Sequence, residues 1–216
     1  MKSIVLSPKI IIDKHKKLNF LIDEDLLNFF NFLKFKIYPI NINKKKLELK
    51  NLKNEDGLIL AGGGDLFKYK RNNLNKIRDR YETKLFNYFL NRNKPILTIC
   101  RGSQLVADIN GIKLHKIKGH VGTKHILKIN KSKYIKNEKL EVNSFHDYSI
   151  KDLPKNFSEI ACTKDGSIEI IEHKTKKILC LMFHPERKMK SKKSILQSVI
   201  CSNKKSLKPP PKVGSK

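Results

Sequence analysis

Four short apolar runs, at residues 2–7, 36–40, 56–61 and 96–99, are separated by stretches whose apolar side chains recur at helical spacing. In 22–33 these are Leu26, Leu27, Phe29, Phe30 and Leu33. In 74–90 they are Ile77, Tyr81, Leu85, Tyr88 and Phe89, with Arg78, Asp79, Arg80, Glu82 and Lys84 left for a solvent face. Residues 44–52 read as a short helix. Strands that alternate with helices cannot pair as hairpins. Each chain segment must cross one face of the sheet, which gives a parallel sheet covered on both sides, with ligand sites at the carboxyl ends of its strands. From residue 112 the texture changes to strand-like pieces at 126–129, 140–142, 159–163, 168–172 and 178–184, separated by Lys- and Asn-rich turns. The expected fold class is α/β: a three-layer sandwich with a central, mostly parallel sheet and an antiparallel extension in its second half. One domain is expected over 1–202, ending in an amphipathic helix at 191–201. Residues 203–216, with Pro209-Pro210-Pro211 and little to bury, read as a disordered basic tail.

The strand at 96–99 stops at Cys100, and Arg101, Gly102 and Ser103 open an amphipathic stretch. A residue on so sharp a strand-to-helix turn is pushed out of the sheet edge beside the free amides of a helix start. That position favours thiolate over thiol. A buried structural cysteine also fits this stretch taken alone. A nucleophile needs a base, and the base needs a carboxylate to hold its tautomer. Phe183-His184-Pro185-Glu186, at the end of the last strand, supplies both, because Pro185 starts a turn that lets Glu186 curl back toward His184. Gly62-Gly63-Gly64-Asp65 follows the third strand directly and leaves backbone amides uncovered, a candidate anion-binding loop at the same sheet edge.

The net charge is +27, yet Lys is spread through every segment, the basic runs at 44–46 and 190–193 are short, and no Arg-aromatic interleaving accompanies them. The distribution argues against a nucleic-acid face and leaves a field that favours small anions. No apolar run approaches the length needed to cross a bilayer, and residues 1–8 read as a first strand and not as a signal peptide. A cytoplasmic location, with no membrane partner, is the expectation. Cys100, Cys162, Cys180 and Cys201 are widely spaced, which suggests neither a disulfide framework nor a zinc site, and the last three read as core residues. His120, His125 and His146 lie close in sequence without a Cys or carboxylate to complete a tetrahedron, so no metal or cofactor is assigned.

The matches Ile99-Cys100-Arg101-Gly102-Ser103-Gln104 to a G-x-C-x-G-x-Q elbow, Phe183-His184-Pro185-Glu186 to an F-H-P-E signature, and the glycine loop at 62–64 resemble the class I glutamine amidotransferase-like superfamily. Thr98 departs from the usual Gly. Cys100-Arg101-Gly102, Arg78-Asp79-x-x-Glu82, Val142-Asn143-Ser144-Phe145-His146 and Asp165-Gly166-Ser167-Ile168-Glu169 look most like its γ-glutamyl hydrolase branch, typified by γ-glutamyl-γ-aminobutyrate hydrolase, although Arg78, Asp79 and Glu82 also fit a solvated helix face with an i, i+4 pair. The resemblance implies a flavodoxin-like sandwich and a triad of Cys100, His184 and Glu186. It also implies oxyanion donors at the amides of Gly63 or Gly64 and of Arg101, and contacts from Gln104, Asn143, Ser144, Phe145 and His146 to the glutamate α-amino and carboxylate groups. The implied reaction is hydrolysis of a γ-glutamyl amide through a γ-glutamyl thioester, with a small-molecule substrate as partner. The chain's compactness is similar to that of bacterial members acting on nucleotide-linked γ-glutamyl-CDP-amidate in capsule phosphoramidate synthesis. The alternatives are a glutaminase subunit that passes ammonia to a separate synthase and a non-catalytic basic binding module. The oligomeric state, a homodimer included, stays open at this level.

Overall fold

The computed structural model describes residues 2–40 and 49–187. The first strand, β1 (Lys2–Ser7), is followed by a hairpin of β2 (Lys9–Ile12) and β3 (Leu18–Leu21), then α1 (Glu24–Leu33) and β4 (Phe35–Pro39). A 3-10 turn at Leu49–Leu52 stands where the short helix over 44–52 is expected, and residues 44–48 of that stretch lie outside the described residues. Next come β5 (Gly57–Leu60), α2 (Asn73–Asn91), β6 (Ile96–Ile99) and α3 (Arg101–Ile109). The second half holds β7 (His115–Lys116), β8 (Val121–Lys128), β9 (Lys139–Phe145), β10 (Tyr148–Ser149), β11 (Phe157–Cys162), β12 (Ile168–His173) and β13 (Ile178–Leu181). The expected helix at 191–201 and the tail at 203–216 lie outside the described residues.

Seven strands form one sheet in the order β11-β12-β13-β6-β5-β1-β4. The five from β13 to β4 are parallel, and β11 and β12 add antiparallel pairs at one edge. This is the mostly parallel α/β sheet that the alternation of strands and helices predicts. Its central strands are apolar on both faces, as Ile96–Ile99 and Ile178–Leu181 show by complete burial, because helices cover both sides. On one face Leu85, Phe86 and Phe89 of α2 and Leu105 and Val106 of α3 pack against Val5, Leu58, Leu60 and Ile96. On the other, Leu26, Phe29 and Phe30 of α1 pack against Ile4, Leu6, Ile59 and Leu97.

Three expectations need correction: the sheet membership of two strand pieces, the solvent face of α2 and the burial of Cys162. The pieces at 126–129 and 140–142 do not extend the main sheet. They belong to a separate ribbon, β8 paired antiparallel with β9, whose Leu127, Leu140 and Val142 join the α1 side of the core. That outer layer therefore combines a helix with a β-ribbon. The polar side of α2 is also not a uniform solvent face: Arg78 and Glu82 are buried, at 3% and 0% exposure, because they form an ion cluster under the sheet edge. Cys180 is buried as expected, Cys162 is exposed, and Cys201 lies outside the described residues. Among the described residues no helix is long and apolar enough to cross a membrane.

The tightest joint lies where α3 meets β5. A Cβ on Gly102 would stand 2.5 Å from the Leu60 carbonyl oxygen and 2.8 Å from Leu60 Cβ, so only glycine lets the first turn of α3 rest on the strand. Gly102→Ala is expected to destabilise the protein by about 1–3 kcal/mol, the usual cost of overpacking a filled site. The measurement is a fall in the urea midpoint at unchanged slope.

Candidate active site

Strand β6 ends at Ile99, and Cys100 takes φ 48° and ψ −103°, a conformation that costs an L-residue roughly 1–3 kcal/mol. The surroundings hold it there. Cys100 N–H donates to the Leu181 carbonyl (2.7 Å), and the Cys100 carbonyl accepts from the amides of Ser103 and Gln104 at 2.9 and 3.1 Å. Ser103 Oγ donates to the same Leu181 carbonyl at 2.7 Å and lies 2.8 Å from Thr98 Oγ1, tying the start of α3 to β6 and β13. The thiol is thus presented at the carboxyl edge of the sheet beside the positive end of a nine-residue helix.

His184 follows β13. Its backbone is bracketed by Asn143, whose Oδ1 accepts from His184 N–H (2.9 Å) and whose Nδ2 donates to the His184 carbonyl (2.8 Å). The ring Nδ1 lies 2.6 Å from Glu186 Oε1, which leaves Nε2 for Cys100. Burial works against the imidazolium. Hydrogen bonds to Cys100 and Glu186, with their negative charge, outweigh it and raise the His184 pKa to about 9. Gly62 makes room for this pair. A Cβ there would stand 2.6 Å from His184 Cε1 and 3.4 Å from Cys100 Cβ.

The glycine loop is shaped from behind. Gly63 and Gly64 have φ of 83° and 78°, and Arg78 donates to the carbonyls of Gly63 (2.5 Å), Ala61 (2.8 Å) and Gly62 (3.2 Å). In a trans peptide the carbonyl and the following N–H point in opposite directions. Carbonyls 62 and 63 are drawn to Arg78, so the amides of Gly63 and Gly64 face away from it. Arg78 Nε also donates to Glu82 Oε1 (2.8 Å), which accepts from Ser7 Oγ at 2.8 Å. Burial disfavours the Glu82 carboxylate, and Arg101 and Arg78 more than offset that, holding its pKa below the usual range. Burial likewise lowers the Arg78 pKa to about 10, which leaves the guanidinium charged near neutrality.

Arg101 closes this cluster. Its guanidinium pairs with Glu82 and Asp79 and its Nε donates to the Asp65 carbonyl (3.2 Å). The side chain is fully buried and turned away from the thiol, so only the Arg101 backbone remains available there. A cavity of about 280 Å³ opens over Cys100. Gly63, Gly64, Gln104, Phe145, His146 and His184 line it, together with Asp65, Asp147, Tyr148 and Arg187. Gln104 Nε2 donates to the Tyr148 carbonyl (3.0 Å), Phe145 meets the His184 ring edge-on at 6.0 Å, and the Arg187 guanidinium lies 4.3 Å over the Phe145 ring.

Asn143 and Ser144, expected at the substrate, are not in the cavity wall. Asn143 is spent on the His184 backbone, and Ser144 Oγ donates to the His120 carbonyl at 2.7 Å. Three charged residues of the wall lie outside the motifs: Arg187, which follows the Phe183-His184-Pro185-Glu186 run directly, and the acidic Asp65 and Asp147. For Arg78 and Glu82 the sequence allows either a solvated helix face with an i, i+4 pair or a role near the site, and the structure uses Arg78 to hold the glycine loop.

A family profile described as Peptidase C26 matches residues 36–186. A gamma-glutamyl-CDP-amidate hydrolase from Campylobacter jejuni is 37% identical over 130 residues, covering 60% of this chain and 62% of that protein. The chain thus spans less than two thirds of that relative's length. A glutamine-hydrolyzing GMP synthase subunit of Methanocaldococcus jannaschii is 30% identical over 142 residues, covering 64% of this chain and 69% of that protein. In fold, the crystal structure of a glutamine amidotransferase from Thermotoga maritima superposes with a TM-score of 0.65 at 17% identity, over 86% of this chain and 76% of that one. With the match running from β4 through the turn that carries His184 and Glu186, the chain belongs to the Peptidase C26 family of class I glutamine amidotransferase-like proteins.

Proposed function

We propose that the protein is a cysteine-dependent hydrolase of a γ-glutamyl amide C–N bond. The observation that carries this reading is that Cys100 and His184 line one small cavity while the Glu186 carboxylate stands behind the imidazole, 2.6 Å from its Nδ1. The Cys100 thiolate attacks the γ-carbonyl carbon, and the oxyanion that forms meets the amides of Gly63 or Gly64 and of Arg101. The C–N bond breaks as His184 gives its Nε2 proton to the leaving nitrogen, and a γ-glutamyl thioester remains. Water then gives a proton to His184 and attacks the thioester carbonyl. Glutamate leaves, and the thiolate and imidazolium return. Arg187 and the pair Asp65 and Asp147, all in the cavity wall, offer opposite charges for the α-carboxylate and α-ammonium of the glutamyl group, with Gln104, Phe145 and His146 shaping the cavity.

The name of the Campylobacter relative suggests γ-glutamyl-CDP-amidate as a substrate, which would place the protein in capsule phosphoramidate synthesis. Lys118, Lys124 and Lys164 around a neighbouring cavity supply positive charge suited to a nucleotide-linked leaving group. The second reading, a glutaminase subunit serving a synthase, is favoured by the relatives that are subunits of GMP synthases. Purified protein distinguishes them. Steady glutamate release from γ-glutamyl-CDP-amidate or a γ-glutamyl amine, with little from glutamine, is expected. Turnover of glutamine only when a synthase partner is added would overturn the hydrolase reading. On the preferred substrate, Cys100→Ala is expected to lower kcat by about 10⁴-fold or more with an unchanged circular dichroism spectrum.

Arg78 acts through the loop and does not touch substrate. Arg78→Lys keeps the charge but loses the fork that holds three carbonyls, so kcat should fall by up to about 10²-fold with KM nearly unchanged, as expected for a weakened oxyanion site. A merely structural role would lower the amount of folded enzyme and not its kcat per active site.

The raised His184 pKa has a definite sign for stability. Its contribution is complete below the unfolded imidazole value of about 6.5 and is lost as pH rises through about 9. The thermal midpoint should therefore fall across that window in the native protein. Glu186→Gln, which lacks the carboxylate that holds the proton, should flatten the dependence and lower kcat.

A further inference from the structure

Behind the cavity wall, His120, His146 and Glu169 each bring one ligand atom to within 4.8 Å of the others, and all three side chains are buried. Glu169 Oε1 lies 3.3 Å from His146 Nε2 and 3.5 Å from His120 Nδ1. A charge-assisted hydrogen bond would draw such atoms to about 2.7–2.9 Å. The observed separations instead match the edge of a tetrahedron whose centre is about 2.0–2.1 Å from each N or O ligand, which is about 3.3–3.4 Å.

The outer sides of the rings fix where their protons sit. His146 Nδ1 lies 3.1 Å from the Tyr148 carbonyl, which only accepts. His120 Nε2 lies 3.1 Å from the Asp165 carboxylate. In the neutral rings both N–H groups therefore point outward, and the lone pairs of His146 Nε2 and His120 Nδ1 point at Glu169. Ser144 Oγ, 3.4 Å from His120 Nδ1, gives its proton to the His120 carbonyl. Among the described residues neither oxygen of Glu169, nor His146 Nε2, has a hydrogen-bond partner. Three electron-pair donors thus converge in a buried space that contains one negative charge. A carboxylate and a backbone carbonyl holding the far nitrogens are the partners that metal-bound histidines use to fix tautomer and ring orientation.

We propose that His120 Nδ1, His146 Nε2 and Glu169 bind a divalent cation of the zinc type. Two imidazoles and a carboxylate suit a borderline ion that accepts nitrogen and oxygen, and three protein ligands leave one position for water. His120 precedes β8, His146 follows β9 and Glu169 sits on β12, so one ion would join the β8–β9 ribbon to the edge of the main sheet. It would also fix His146, a residue that lines the cavity over Cys100. The fold supplies the carboxylate that the sequence spacing of the histidines lacks.

The test uses the full chain carrying Cys100→Ser, which removes the cavity thiol as a competing ligand. After chelator treatment and dialysis, Zn²⁺ is titrated against a chromophoric chelator, and Co²⁺ serves as a spectroscopic probe. One ion per chain is expected, with visible Co²⁺ bands and no thiolate charge-transfer band. His120→Ala and Glu169→Gln should abolish that stoichiometric binding. Asp165→Asn, which frees the far side of the His120 ring, should weaken it about 10–100-fold. X-ray absorption of the Zn²⁺ form of the Cys100→Ser chain, which does not depend on any ligand variant folding, should show an N/O shell at about 2.0–2.1 Å with imidazole scattering. No stoichiometric ion in the Cys100→Ser chain, or binding that survives His120→Ala unchanged, would overturn the proposal and leave the cluster as protonated histidines around Glu169.

Discussion

The buried pairing of Glu82 with Arg78 and Arg101 is the interaction on which the candidate site depends. Glu82 sits on α2, behind the sheet edge, and joins two pieces of backbone that must be held at fixed separation. Through Arg78 it fixes the carbonyls of residues 61–63, and through Arg101 it fixes the first residue of α3, next to Cys100. Two cations and two carboxylates, with Asp79, make the cluster neutral, which is the condition under which charges can stay out of water. Removing one partner would leave an uncompensated charge under the sheet. The cluster therefore stabilises a specific geometry more than it adds to overall stability.

That geometry has to oppose a local strain. Cys100 is held at positive φ although it carries a side chain, and the energy needed comes from the hydrogen bonds of Leu181, Ser103 and Gln104 and from the packing of Gly102 on Leu60. Both neighbouring glycines serve contact and not flexibility: Gly102 admits the helix, and Gly62 admits the imidazole. A thiol on a strained turn, an imidazole with a pKa near 9 and a loop with its amides turned outward are three consequences of the same close approach at the ends of β5, β6 and β13.

Much of this was legible in the sequence because the signals are local. The alternation of strand and helix periods gave the parallel sheet, the break at Cys100 gave the turn, and Phe183-His184-Pro185-Glu186 gave the imidazole and its carboxylate two residues apart. What sequence could not supply were partners from distant segments. For Arg78 and Glu82 the spacing leaves a solvated face and a role near the site equally open, because helical periodicity identifies a face but not what covers it, and here the cover is a glycine loop and a second helix. Glu169 stands in the Asp165-Gly166-Ser167-Ile168-Glu169 motif, but its burial on the strand Ile168–His173 makes sense only once His120 and His146 are seen beside it. The β8–β9 ribbon was assigned to the main sheet because alternating pieces reveal strands but not which sheet they join.

Strand β9 shows how one short segment serves two places at once. Successive side chains on a strand point to opposite faces, so Asn143 and Phe145 share one face while Ser144 and, continuing the alternation, His146 share the other. The first pair meets His184: Asn143 grips its backbone and Phe145 packs against its ring. The second pair meets His120, through the Ser144 hydroxyl and a ring-to-ring distance of 5.1 Å from His146. A displacement of β9 along its axis would therefore move the imidazole opposite Cys100 and the cluster around Glu169 together. A one-residue slip in register would exchange the two sets and destroy both. The antiparallel pairing with β8 over Val121–Lys128 sets that register, so the ribbon that departs from the expected sheet is the element that aligns the two polar clusters.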